Sequence, residues 1–367
     1  MASTSHRGDN KECQGDDNYG TIRTEFYPFK RRKAPHHDGL PASRYEQYTI
    51  AWICALHIEM AAARAMLDDI HEPLPTHADD INAYVLGSIR HHNVVITCLP
   101  LDQYGTINAA KVMTNMKRTF PAIRASLMVG IGGGVPSKSD VRLGDVVVGT
   151  RVIQYDLGKI IEGGKFQRTA VPSTPSLLLG TAVSALRSKH ELGLRRIESI
   201  LQQKLEAYSE YSRPSAPDRL FQATYDHRSS LKDGCDDCDN SRLVPRSSRI
   251  PDGVMVHYGA IASGNQVMKH GVTRDIIAQE LNIICFEMET AGLMDILPCL
   301  PVRGICDYSD SHKNKEWQRY AAATAAAYAR ELLEEVPTTE LYANMNRIPN
   351  LRLSGKCFWE PFQLAAA

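Results

Sequence analysis

From Tyr48 to about residue 336, short apolar runs alternate with helix-patterned stretches, and this alternation constrains the fold of the 367-residue chain more than any other feature. Tyr48 to Leu56 (YTIAWICAL) lacks the polar interruptions of a half-exposed strand and reads as a buried one, followed by a helix over 59–69. Ala83 to Arg90 and Asn93 to Leu99 flank the His91-His92 turn as a hairpin. A helix over 108–118 precedes an apolar strand from Ala125 that runs into the glycines Gly130 to Gly134. Asp145 to Tyr155 is β-branched, and helices are expected over 176–191 and 194–208. The pattern resumes with a strand Val254 to Ala262, a helix 272–280, a strand Asn282 to Glu287, a helix Thr290 to Ile296, a strand Val302 to Asp307 and an Ala-rich helix 314–335. Strands alternating with helices, without a repeat or a Gly/Ser linker, predict an α/β, single-domain, three-layer sandwich with a central mixed sheet.

The flanks differ from this body. Residues 1–45, with the basic cluster Lys30 to Lys33, read as a disordered leader. Residues 209–252 carry Pro214, Pro217, the sequence CDDCDN and Arg242, Arg246 and Arg249, and read as an inserted loop region. Residues 338–367 form a tail after the domain proper, 46–337. With 42 Lys+Arg against 42 Asp+Glu there is no positive excess of the kind a nucleic-acid-binding face needs. No apolar run reaches the roughly 20 residues that span a bilayer, and the first 20 residues lack a signal-peptide core. Nine cysteines, several within apolar runs, fit a reduced, cytoplasmic setting.

Ligands of open α/β sheets gather at the carboxyl ends of strands, which directs attention to four places. These are Glu59 after the first strand, the glycine segment, Glu287-Met288-Glu289, and Asp307 with Asp310 close by. Glycines let a backbone approach a ligand closely, yet a tight strand-to-loop turn would use them too. Val135 stands where a dinucleotide fingerprint needs its third glycine, and no Walker motif occurs, so no cofactor is expected. Glu287 and Glu289, directly after a buried strand, suit either the hydroxyls of a ribose or a helix N-terminus. Cys235-x-x-Cys238 has only His227 and aspartates nearby, short of a recognisable four-ligand set. It reads as a polar turn, and no metal is expected.

Four segments, VGIGGGVP (129–136), IASGNQVMK (261–269), FEMETAG (286–292) and GICDYSD (304–310), together with LGDVVVGTRVIQYD (143–156), resemble the purine and uridine phosphorylase superfamily in order and spacing. WICALHIEMAAARAML (52–67) resembles its nucleosidase branch, and the whole is similar to the N-terminal nucleosidase domains of fungal NOD-like receptors and to ATP nucleosidase immune effectors. The resemblance implies a nucleoside-phosphorylase type of sandwich, a purine nucleotide or nucleoside as small-molecule partner, and a homo-oligomer. It makes Asp307 the acid at the leaving purine and Glu59 the base at the attacking water, a division of labour that N-glycoside cleavage requires. Glu289, with Met288 and Glu287, would hold the ribose. Gly132 and Gly133 would line the base and nucleophile pocket, and Val267 and Met268 would hold the purine.

The stretch Leu56 to Met60 has no arginine where phosphorylases of the superfamily carry a phosphate ligand, so hydrolysis is expected rather than phosphorolysis. The rivals are a phosphate-dependent purine nucleoside phosphorylase and a non-catalytic oligomerising signalling domain. A nucleotide substrate, with ATP preferred, needs cations for its 5′ phosphates. Arg246, Arg249 and Lys269 are the main candidates, with Arg274 and Arg90 behind them.

Overall fold

A computed structural model describes residues 44–227, 234–249 and 253–338. The leader up to residue 43 and the tail from 339 lie outside the described residues. In chain order the elements are β1 (Tyr48–Cys54), α1 (His57–Ala65), β2 (Asp69–Ile70), β3 (Tyr84–Ile89), β4 (His92–Cys98), α2 (Thr106–Thr119), β5 (Ala125–Gly134), β6 (Val146–Gln154), β7 (Gly158–Ile160) and β8 (Phe166–Arg168). They continue with α3 (Leu177–Glu191), α4 (Ile197–Leu205), β9 (Val256–Ser263), α5 (Gly271–Leu281), β10 (Ile283–Glu287), α6 (Thr290–Met294), β11 (Cys299–Asp307) and α7 (Gln318–Leu333). The α/β architecture and the central mixed sheet are as expected.

The main sheet has nine strands in the order β10-β9-β6-β11-β5-β1-β4-β3-β2. β5 runs parallel to both β1 and β11, so the carboxyl ends of the three strands that precede Glu59, carry the glycines and carry Asp307 lie side by side. One feature was not foreseen. β10 also pairs antiparallel with the end of β5, through Cys285 with Gly134 and Phe286 with Gly133, so β5, β11, β6, β9 and β10 close into a ring. The glycine segment is therefore strand to its end and not a strand-to-loop turn. Ring closure requires glycine there: a Cβ on Gly132 would lie 2.7 Å from Cys285 Sγ.

Two apolar layers cover the sheet. On one side α1, α3, α4 and α7 pack on Ile50, Trp52, Leu127 and Val302; on the other, α2 and α6 pack on Ala51, Ile53 and Met128. The alanine run explains how α7 comes so near: residues Ala321 to Ala327 are all buried, and the helix lies against β11 where Gly304 has no side chain. Among the described residues of the insert, expected as an unpacked loop, Phe221, Cys235 and Cys238 form a small core, buried against Tyr225 and Leu243.

A methyl group at Gly304 would meet the backbone of Ala321, which a helix packed all round cannot yield. Gly304→Ala should therefore cost at least about 1–3 kcal/mol in a denaturant titration. Gly180→Ala, in α3 with nothing within 4 Å of the added carbon, should instead be neutral or stabilising by up to about 1 kcal/mol.

Candidate functional site

Glu59 is the third residue of α1, and its carboxylate turns back to cap its own helix. Oε2 accepts hydrogen bonds from the backbone N–H of Ala55 at 2.7 Å and of Leu56 at 2.9 Å, which a helix start leaves without intrahelical partners. Oε1 accepts from the N–H of Ile131 in β5 at 2.8 Å, tying helix to strand. Gly130 is the gap that admits this arrangement: a Cβ there would overlap the Glu59 carboxylate and lie 2.8 Å from Arg303 Nη1.

Arg303 sits in the middle of β11, fully buried. A cation so placed needs anions, and the chain supplies them from the end of β10. Its Nη2 donates to Glu287 Oε2 and to Thr290 Oγ1 (3.3 Å), and lies 3.5 Å from Glu289 Oε2. Glu287 Oε2 also accepts from the N–H groups of Glu289 and Thr290, both at 3.0 Å, and from the Thr290 hydroxyl at 2.8 Å. Glu287 is thus the joint between β10, α6 and Arg303. Its expected place at the ribose is corrected to this positioning role, since its acceptors are engaged inside the protein.

Three buried carboxylates face one guanidinium, and burial is the largest influence on two of them. It pushes Glu59 above the usual carboxylate range, against the opposing pull of Arg303 and the three backbone donors. It lifts Glu289 to about 8, with Glu287 and Glu59 adding like-charge repulsion and Arg303 resisting. Burial works to lower the pKa of Arg303, but its three acidic neighbours outweigh it and hold the guanidinium charged. The cluster is buried, and with Glu59 and Glu289 ionised it is the environment in which a developing positive charge is stabilised.

Asp307 ends β11, four residues beyond Arg303. A bulge at this point pairs Asp307, rather than Cys306, with Gly133 and turns its carboxylate out of the series Arg303, Ile305. A Cβ on Gly133 would come within 2.8 Å of Asp307 Oδ1. Oδ1 accepts from the N–H of Ser309 at 2.9 Å, and Oδ2 contacts the Lys313 ammonium. The partner of the expected acid is therefore a cation, Lys313. Burial acts to lower the Lys313 pKa, and the Asp307 carboxylate outweighs that effect and raises it. Glu59 and Asp307 meet β5 at Gly130 and Gly133, about 10 Å apart along the strand.

The segment with Val267 and Met268 follows β9. Met268 packs on the cluster that contains Val135 and Phe286, while Val267 is 51% exposed. Asn265 ties the segment to the start of α2 by accepting from the Thr106 N–H at 3.1 Å, and the backbone of neighbouring Gly105 bonds Glu289. Met288 is half-buried between Glu287 and Glu289.

The expected phosphate-holding arginines are placed differently. Arg246 pairs with Asp218 at 3.0 Å and donates to the Tyr308 hydroxyl at 2.8 Å; Arg249 pairs with Asp145 at 2.8 Å and Asp140 at 3.2 Å. Both line a cavity of about 310 Å³ with Arg142, Asp145 and Asp218, to which neither Glu59 nor Glu289 contributes. These arginines are neutralised by insert and core carboxylates, so their assignment as free phosphate ligands is withdrawn. Lys269 is exposed at the surface. Arg274 is buried on Asp275, and Arg90 pairs with Glu334. His57 is exposed at the first turn of α1. Sequence reasoning passed over Arg303 and Lys313. A lone arginine inside the apolar run CLPVRGICD was the available signal, because a buried cation demands acids of the kind found at 287 and 289.

Residues 49–336 match the profile of the Phosphorylase superfamily. The chain is 44% identical over 301 residues to a nucleotide-binding leucine-rich repeat (NLR)-like protein of Hyaloscypha variabilis, a match covering 80% of this chain and 30% of that protein. It is 23% identical over 300 residues to a 5′-methylthioadenosine/S-adenosylhomocysteine nucleosidase of Mycobacterium bovis, covering 79% of this chain and 97% of the relative. It is also 23% identical over 290 residues to the ATP nucleosidase Cap17 of Escherichia coli, covering 77% and 50%. The chain thus spans under a third of the NLR-like relative and half of Cap17. Futalosine hydrolase of Helicobacter pylori shares the fold with a TM-score of 0.52 at 15% identity, over 79% of this chain and 98% of that one.

Arg303→Met, which keeps the volume but leaves the carboxylates without their cation, should lower stability by about 3–5 kcal/mol. Thermal and denaturant unfolding at neutral pH measure it, and the loss should shrink at acid pH as the glutamates protonate.

Proposed function

The chain belongs to the Phosphorylase superfamily, and from that premise we propose that it hydrolyses the N-glycosidic bond of a purine nucleoside or nucleotide, with ATP the favoured substrate. The observation that carries this is Glu59, a buried carboxylate fixed by three backbone N–H groups beside Glu289 and the buried Arg303.

In the proposed reaction the bond from C1′ to the purine breaks as positive charge builds on the ribose. Glu289 accepts hydrogen bonds from the ribose hydroxyls, and its charge, with that of Glu59, favours the cationic transition state. Water attacks C1′ and gives its proton to Glu59. The bond's electrons pass into the base, which takes a proton from the Asp307 carboxyl; the Lys313 ammonium neutralises the carboxylate this leaves, and solvent returns a proton to Asp307 as Glu59 releases the one it took from water. The products are free purine and the sugar or sugar phosphate.

Water is favoured over phosphate on electrostatic grounds. The nucleophile's place lies among Glu59, Glu287 and Glu289, and the one guanidinium there is already engaged by carboxylates. An inorganic phosphate anion would be repelled. ATP as the substrate rests on similarity to the ATP nucleosidase relative and draws no support from Arg246 or Arg249.

Released base should be seen by chromatography in phosphate-free buffer with ATP, adenosine, inosine or methylthioadenosine; a requirement for added phosphate would overturn hydrolysis. Glu59→Gln and Asp307→Asn should each lower kcat by roughly 10²–10⁴-fold in protein that circular dichroism shows to be folded, with a stability loss of about 1–3 kcal/mol because the amide NH2 faces a donor that the carboxylate accepted from. Near-normal turnover in either would remove that residue from its role. Both glutamates act as anions here, and a raised pKa keeps an acid protonated further up the pH scale. The rate kcat/KM should therefore still be climbing above the ordinary glutamate value of 4.5 and level off toward about 8.

A further inference from the structure

His227, Cys235 and Cys238 come together in the insert, with one Nδ1 or Nε2 and two Sγ atoms all within 4.8 Å of one another. The sequence suggested a polar turn in a loop, but both cysteines are buried, at 7% and 5% exposure. Among the described residues this is the one group of His, Cys, Asp or Glu side chains assembled in this way. We propose that His227, Cys235 and Cys238 bind a zinc ion that ties the insert to the loop between Asp307 and Lys313.

The donor set decides the metal class. Two thiolates and an imidazole are soft to borderline ligands and select zinc over calcium or magnesium, which take oxygen donors. Zinc lies about 2.3 Å from sulfur and about 2.0–2.1 Å from nitrogen, so tetrahedral ligand atoms stand about 3.5–3.8 Å apart. Closing from the observed spacing takes movements of about 1 Å. A neutral imidazole, two thiolates and Zn²⁺ also sum to zero charge, which suits a buried site beside Phe221.

A second observation points to the same place. Both ring nitrogens of His312 are buried without a hydrogen-bond partner, Nδ1 standing 3.7 Å from Asp310 Oδ1. The His312 ring centre lies 5.6 Å from that of His227, and the Cys235 thiol points to the His312 carbonyl at 3.8 Å. The fourth zinc position falls to His312 after a ring rotation, or to water. The backbone N–H of His227 donates to Ser311 Oγ at 2.9 Å. A metal here would therefore brace residues 311–312, immediately before Lys313.

Full-length protein, purified in reducing buffer without chelator, should carry about one zinc per chain by mass spectrometric metal analysis, and so should a Cys98→Ser control. Cys235→Ser and Cys238→Ser should lose it at least tenfold. A chelator should lower the wild-type melting temperature and leave that of Cys235→Ser unmoved. Should those variants not fold, cobalt(II) reconstitution of the wild type decides the matter through its thiolate charge-transfer absorption. Wild-type protein that neither holds zinc nor gives that band, or a Cys235–Cys238 disulfide found under the same reducing conditions, would overturn the site. Metal content is read without turnover, so its failure leaves the proposed hydrolysis untouched.

Discussion

The buried guanidinium of Arg303 is the contact on which the rest of the site depends. Taking one cation and three carboxylates out of water costs several kcal/mol per charge, and only close pairing with further hydrogen bonds offsets it. The ends of β10 and α6 serve that pairing most directly. Glu287 accepts from Arg303, Thr290 and two backbone N–H groups at once, which fixes β10 and α6 against β11. Glu59 is held independently by α1 and β5. Glu289 is the carboxylate left with the weakest internal claim, 3.5 Å from the guanidinium, and so the one suited to a ligand.

Such a cluster can exist only where strands approach without side chains between them. Gly130 makes room for Glu59 and Arg303, Gly132 for Cys285, and Gly133 for Asp307 and Ser309. The same device recurs beyond the site at Gly304, where it lets α7 rest on β11. Small residues therefore do two jobs in β5 and β11: they close the ring of strands, and they bring acids from three different strand ends to one strip of backbone.

The strand and helix order was legible because burial enforces the period-2 and period-3.6 patterns, and β1, the β3–β4 hairpin, β9, β10 and α7 fall close to where those patterns put them. Ring closure was not, since a glycine run at a strand end looks the same whether it turns away or pairs with a second neighbour. Glu59, Glu289 and Asp307 could be picked out as polar residues at strand ends. Arg303 was hidden by that same rule: it lies mid-strand, and its importance comes from acids 14 and 16 residues earlier in the chain, at Glu289 and Glu287. Arg246 and Arg249 misled for the opposite reason. Charge in a loop suggests a free ligand-binding group, and nothing local reveals that Asp140, Asp145 and Asp218 fold onto them.

That last pairing bears on how a nucleotide could be held. For Arg246 to grip a phosphate it would have to leave both Asp218 and the Tyr308 hydroxyl, and Tyr308 directly follows Asp307. Phosphate capture there would strip a partly buried carboxylate of its cation and loosen the residue next to the proposed acid, two penalties incurred for one new ion pair. The insert is better understood as a brace. From Asp218 and Arg246 on one side and His227 on the other, it grips Tyr308 and Ser311, so the short loop between Asp307 and Lys313 is held at both ends, and the acid and the ammonium behind it keep their register.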